Sequence, residues 1–553
     1  MRLTKFLFVP AAVALAVSLS ACDNERNPSP FQFNLNNQQG DVVALVNTGS
    51  GQRLVMFNRD NPSRILNTAA INLPAGQRLI GIDYRPLDEK LYALTTSAVY
   101  TVDPRTGALS EPVALSSGMG LADGVPPPVV PLIGNSFGFD FNPAVDRLRV
   151  VSDANTSLVV NVDTGVVNAS PNINDMGSAI TASAYTNSFL APVNTVLWVL
   201  DTMGDRLLIQ NAGNSVLSNP IALGVNADAA NGFDIDAVNN VGYASLTVAG
   251  STQLYKINLA ATVAPAATPV GAIGNGQMEI EGLALAPVFT VAHGLTTDNR
   301  LVSFEPTRAD KVTTRNITGL MMGETVLGID VRPKDGKLYG LTSQARLITI
   351  NPLNGAATIG RSLNVALPVT AGTSPDTRPV RYSVDFNPAA DRLRVINTEG
   401  LNLRIDVDLG VTNIDGMING MNNPVVAAAA YTNSFSRDEN PGVGTMLFNI
   451  DRANSQLTLQ DPPNAGTQVA RGPIAGGLLA ADLVTLDIAG GANGLPLYSR
   501  STAGGANTLS TINTADGALT TYPAGNLVVD GNAVVAPVGG GAPLSDIAIE
   551  LRR

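Results

Sequence analysis

A chain of 553 residues exceeds what one ordinary compact core holds, so at least two domains or a repeat array are expected. Charged residues are only 14% of it, while 53 Gly and 35 Pro punctuate short alternating runs of Val, Thr and Asn, the makeup of many short strands joined by turns. A net charge of −11 and the lack of any Lys/Arg run argue against nucleic acid as a partner.

The opening segment "MRLTKFLFVPAAVALAVSLSAC" has a basic start, an apolar stretch from Phe6 to Val17 and small residues before Cys22. Residues 1–21 read as an export signal. The stretch "LSAC" (19–22) resembles the lipobox of bacterial lipoproteins, in which the Cys is acylated and becomes the first residue of the mature chain. Cys22 is the sole cysteine, which excludes a disulfide within the chain and fits lipidation better than a thiol nucleophile or a metal ligand. An uncleaved membrane helix would need a longer apolar run. The expected partner is therefore a membrane, reached through lipid on Cys22. Residues 22–40, rich in Asn, Gln and Pro, suit a flexible tether. Asp23 resembles a signal that retains enterobacterial lipoproteins on the periplasmic side of the inner membrane; where that rule does not apply, the outer membrane is expected.

Residues 41–77 supply three strands. From there one phrase recurs: "IGIDYRP" (80–86), "FGFDFNP" (137–143), "ASAYTNS" (182–188) and "NGFDIDA" (231–237), then "LGIDVRP" (327–333), "YSVDFNP" (382–388), "AAAYTNS" (428–434) and "VTLDIAG" (484–490). Second and third apolar runs and a turn such as "DPRTG", "VDTG" or "NPLNG" follow several of them. Pro fixes φ in these turns, the Asx side chain bonds nearby backbone, and the Gly supplies positive φ. The result is a four-stranded antiparallel meander. Such a unit cannot bury both of its faces alone, so an all-β fold of the β-propeller type is predicted. Along "GFDFN" the two Phe take one face while Gly138 and Asp140 take the other.

The count is five units per half, and the first unit lacks a strand. If "EGLALAP" (281–287) completes residues 41–77 and "SDIAIEL" (545–551) completes 290–325, the protein is two tandem five-bladed rings, 41–287 and 288–553. The opposite choice gives one ten-bladed ring. Typical ring sizes favour two. The nine-residue spacing from Ala284 to His293 matches the hairpin spacings Asp83 to Tyr92 and Asp140 to Arg149 and points the other way, although "APVFTVA" (286–292) has no Gly, Asn or Asp for the turn.

The phrases "GIDYRP…KLYAL", "FGFDFNP…DRLRVVSD", "AYTNS" and "DPPNAGT" (461–467) resemble a bacterial exported family catalogued as domain of unknown function 4394. The resemblance covers nearly all of 41–553 in two copies. The first copy departs from it, with "QNAGNS" (210–215) where the second has "DPPNAGT". It implies a propeller-like unit that closes alone, and no catalytic residue.

The candidate site residues are the Asp of the recurring phrase: Asp83, Asp140 and Asp234 in one half, Asp330, Asp385 and Asp487 in the other. Tyr185 and Tyr431, and Ala284 and Ala548, hold the same register. Three carboxylates around a channel could bind a cation or act as the acid and base of a glycoside hydrolase. Such an enzyme must treat its two carboxylates differently, whereas these recur at equivalent positions. The competing reading makes each Asp a joint between blades, bonded to backbone amides or to an Arg such as Arg149 or Arg394. His293 is the sole histidine and reads as structural. "IDVDLG" (405–410) lacks a full calcium-ligand series and reads as a strand end and turn. "DRLR" (146–149, 391–394) reads as a strand with alternating Arg, and a single Trp, Trp198, is poor material for sugar stacking. No catalytic residue, cofactor or metal site is assigned. The expected role is a lipid-anchored envelope protein that binds or scaffolds an envelope protein or polysaccharide; the alternatives are a carboxylate-dependent hydrolase and a passive structural protein. Two Pro-rich insertions at equivalent positions, 116–136 and 365–381, are the candidate contact surfaces.

Overall fold

The structure, a computed structural model, describes residues 40–117, 132–174, 177–228, 232–309, 312–368, 380–491, 493–502, 507–521, 528–529, 532–533 and 543–552. The export segment, Cys22, Asp23 and nearly all of the tether lie outside the described residues, as do 118–131 of the first insertion and 369–379 of the second. Among the described residues there are ten four-stranded antiparallel sheets and a two-residue hairpin; the helices are two single 3-10 turns, Pro306–Arg308 and Pro463–Ala465.

Each sheet is a meander. Phe137–Asn142 pairs with Arg147–Ser152, which pairs with Ser157–Val160, which pairs with Val167–Ala169. Asp140 stands opposite Arg149, as Asp385 stands opposite Arg394 in the other half. Alternation then assigns the faces. Phe137, Phe139 and Phe141 pack with Tyr92 and Leu94 of the preceding sheet, inside one cluster of buried residues. Gly138 faces the following sheet, so close that a Cβ there would lie 2.6 Å from the Ser183 nitrogen. Both faces of a sheet are thus covered by neighbours, which is how units without a core of their own become stable.

Closure depends on long-range pairing. Val42–Asn47 pairs with Glu279–Leu285, and Phe289–Thr296 pairs with Leu544–Arg552. Innermost strands of the first half touch in the order Gly81–Tyr84, Phe137–Asn142, Ile180–Tyr185, Gly232–Ile235 and Glu279–Leu285, and the last touches the first. Val326–Val331, Tyr382–Asn387, Val426–Tyr431, Leu483–Ala489 and Leu544–Arg552 do the same in the second half. In the alternative assignment Val42–Asn47 would lie beside the last strand, which pairs instead with Phe289–Thr296. The nine-residue spacing from Ala284 to His293 is no hairpin, since Ala284 lies opposite Val43 and His293 opposite Ala548.

The two halves also meet. Phe189 and Ala237 of the first pack with Ala292, Leu495 and Leu497 of the second. The Val193 amide donates to the Gly494 carbonyl at 3.0 Å, and Asn239 Nδ2 donates to Glu439 Oε2 at 2.6 Å.

Candidate functional site

The six recurring Asp all lie on innermost strands, with side chains between 1% and 4% exposed. Each turns toward the next sheet. Asp83 accepts the amide of its own neighbour Tyr84 on Oδ1 and that of Phe141 on Oδ2, both at 2.8 Å. Asp234 does the same with Ile235 and Leu285, both at 2.6 Å. In the second half Asp330 takes Val331 at 2.7 Å and Phe386 at 2.6 Å, and Asp487 takes Ile488 at 2.6 Å and Ile549 at 2.5 Å. Asp385 Oδ1 accepts the Tyr431 amide at 3.0 Å, and the dipole of the equivalent Tyr185 amide pulls the Asp140 carboxyl downward. Asp140 Oδ1, however, is buried with no partner. Of the two alternatives, the amides are the partners present; Arg149 and Arg394 bond elsewhere. Arg149 donates to the Tyr185 hydroxyl, to Ser157 and Ser170 and to the Ala212 carbonyl, while Arg394 donates to Tyr431, Asn402, Asp415 and Asn464.

The carboxylates converge. One oxygen from each of Asp83, Asp140 and Asp234 lies within 4.8 Å of the others, and the same holds for Asp330, Asp385 and Asp487. Burial pushes the carboxyls of Asp83 and Asp140 well above the usual range, and the charge of the neighbouring Asp adds to it. Burial likewise raises Asp330 and Asp385, reinforced by Asp487 and by Asp330 respectively. Burial also raises Asp234 and Asp487, but their two amide donors pull back, leaving both at about 7. A hidden group of three acids on the ring axis can share protons or hold a cation. Attack on a glycosidic bond requires an acid that reaches it, and none of these side chains is open to solvent.

The remaining candidates have structural surroundings. Tyr185 and Tyr431 are buried beneath Arg149 and Arg394, and Ala284 and Ala548 are fully buried in the closing strands. His293 is buried between Ser303 Oγ, 2.8 Å from Nδ1, and Glu550 Oε2, 3.2 Å from Nε2. In "IDVDLG", Asp406 ends a strand and accepts the amides of Asp408 and Leu409, both at 3.1 Å. Trp198 packs in a sheet-to-sheet cluster.

Two features escaped the sequence reading. Arg85, 4% exposed, grips Asp146 and Asp163 in two bidentate pairs at 2.6–2.8 Å, and Arg332 repeats this with Asp391 and Asp408 at 2.7–2.8 Å. The Arg of "DYRP" and "DVRP" and the Asp that opens "DRLR" recur in both halves, and that joint recurrence was the available signal. The other is Asp546, a fourth buried acid beside the three of the second group, whose Oδ2 accepts the Ile329 amide at 3.0 Å. Its counterpart in the first half is Gly282, so no repeat marks it.

No curated protein matches the chain. Among solved structures it is similar to U3-55K at 7% identity and a TM-score of 0.22, over 68% of this chain and 90% of that one. It is similar to the Dos1 propeller at 13% identity and a TM-score of 0.25, over 65% and 90% of the two chains. A third likeness is to the extracellular domain of a putative hybrid two-component system from B. thetaiotaomicron, at 10% identity and a TM-score of 0.26, over 91% of this chain and 62% of that one. A family model described as Domain of unknown function (DUF4394) matches residues 53–284 and again 300–533, and the chain belongs to that family, with the domain present twice in tandem.

Proposed function

We propose that this protein is a lipid-anchored, non-enzymatic component of the bacterial cell envelope that binds or scaffolds an envelope protein or polysaccharide. One observation carries the non-enzymatic part. Asp83, Asp234, Asp330 and Asp487, the residues with the strongest claim to acid–base chemistry, each have both carboxyl oxygens engaged by backbone amides, one of them from the adjacent sheet. They are joints, and joints leave the outward loops as the contact surface. The lipobox-like "LSAC" with Cys22 supports the anchor, and the two Pro-rich insertions at equivalent positions support the binding surface.

The test is crosslinking in intact cells with the full chain and with chains lacking 118–131 or 369–379. Loss of a specific crosslinked envelope partner in a deletion that still folds supports the reading. Hydrolysis of envelope polysaccharide by the purified wild type, abolished in Asp330→Asn, would replace it with the hydrolase.

A further inference from the structure

In the first group of acids, two physical demands oppose each other. Asp83 and Asp234 each receive two backbone N–H groups, which ask for lone pairs and so favour the ionised carboxylate. Burial and mutual closeness ask for the reverse. Asp140 sharpens the conflict: it is 1% exposed, and its Oδ1 has no hydrogen-bond partner. The nearby cation resolves it only in part, since Arg59 is committed to Asp41 at 2.6 Å and to Asp236, and of the three acids its charge lowers Asp234. A cavity of about 20 Å³ borders Arg59, Asp83, Tyr84, Asp234 and Leu285, room for about one water-sized occupant.

We propose that Asp83, Asp140 and Asp234 bind one hard divalent cation of the calcium type, with Asp140 Oδ1 as the ligand that otherwise has no partner. An all-carboxylate set selects hard cations over zinc or copper. Magnesium demands near-octahedral order and gives up its water reluctantly, whereas calcium accepts an irregular oxygen shell, which suits carboxylates already held in place by backbone amides. The donor oxygens here all lie within 4.8 Å of one another. Each carboxyl oxygen has a second lone pair, so amide bonding and coordination coexist, and water in the adjoining cavity completes the shell. The ion ties three sheets at the ring axis and supplies the charge that the amide bonds alone leave unbalanced. This assigns a metal where the sequence pattern by itself assigned none, and it stands independently of the envelope-binding role. The proposal concerns the first group, where the unpartnered oxygen sits.

The experiment uses the full chain in detergent, stripped with EGTA, with calcium content measured by mass spectrometry and with thermal melts across a calcium titration. Wild type should bind calcium at concentrations between about 0.1 and 1 mM, the range of extracellular modules, and melt at higher temperature with it. Asp140→Asn keeps an acceptor for the Tyr185 amide and should hold one calcium fewer per chain. Terbium luminescence sensitised by Tyr84, and quenched by added calcium, reads the same site in wild type without any substitution. No bound calcium and no shift in melting up to 10 mM overturns the proposal. So does Asp140→Asn that retains wild-type calcium, or terbium emission that calcium does not displace.

Discussion

Asp487 Oδ2 accepts the backbone N–H of Ile549 at 2.5 Å, joining the last Asp of the recurring phrase to the strand that closes the second half. Asp234 does the same to Leu285 at 2.6 Å in the first half. In both cases the partner strand also pairs with the first strand of its half, Val42–Asn47 or Phe289–Thr296, so the bond ties the last sheet to the strand that completes the first.

Asp487→Asn is therefore expected to destabilise the protein. An amide side chain presents one acceptor oxygen and one NH2, so one of the two backbone donors, Ile488 or Ile549, loses its partner in a buried site. The cost should be about 1–3 kcal/mol in urea unfolding. An unchanged midpoint would mean that the carboxylate does not bind the closing strand.

Residues 288–553 expressed alone should fold with a single cooperative urea transition, because all five of that half's sheets, including the one completed by Leu544–Arg552, are built from its own strands. Removing 543–553 from that fragment should abolish the transition. A fragment that stays unfolded with its last strand present would show that closure needs the other half.

Arg332 and Asp391 should couple in a double-mutant cycle. Arg332 is buried and bidentate to Asp391 and Asp408, a geometry Lys cannot reproduce. Arg332→Lys should cost about 1–3 kcal/mol, with coupling to Asp391→Asn above about 0.5 kcal/mol. Additive effects would make the clamp incidental.

The turn glycines serve as spacers between sheets. Gly165 has φ 71, and a Cβ there would lie 2.0 Å from the Ala114 carbonyl oxygen of the preceding sheet; Gly355, with φ 76, would meet the Asn316 oxygen at 2.2 Å. Gly165→Ala must pay for both the left-handed backbone and a clash with backbone that cannot step aside. A loss of about 2–4 kcal/mol is expected in denaturant unfolding. A loss below about 1 kcal/mol would mean that the turn and its neighbour separate easily.

His293 should make stability pH-dependent. Burial holds its imidazole below the usual range against the pull of Glu550, so the folded chain leaves it neutral where the unfolded chain takes up a proton near 6.5. Its contribution is therefore complete above about pH 6.5 and declines as pH falls below that value. His293→Gln should remove this contribution, so the wild-type advantage in urea midpoint over the variant should shrink from pH 7.5 to 5, on top of an opposite trend from the raised Asp234 and Asp487 carboxyls that both chains share. A difference between the two chains that does not change with pH would mean that His293 does not titrate between the folded and unfolded states.

Much of this was legible in the chain. Alternation of apolar residues, together with Asx-Pro and Asp/Asn-Gly turns, is a local property, and it marks the four-stranded units and the register of Asp83, Asp140 and Asp234. The same pattern could not tell which strand completes residues 41–77, because "EGLALAP" and "SDIAIEL" alternate equally well. That choice is made by packing between sheets far apart in sequence, and so is the partner of every inward Asp. Arg149 and Arg394 stand directly opposite Asp140 and Asp385 in the hairpin, yet their guanidinium groups bond to other residues, while the carboxylates turn to amides of the next sheet. Sequence thus determined the unit and its repetition, since strand period and turn chemistry are written residue by residue. Only the tertiary structure decided closure, the Arg85 and Arg332 clamps and the convergence of three acids on each axis, since these depend on which distant backbone arrives beside which side chain.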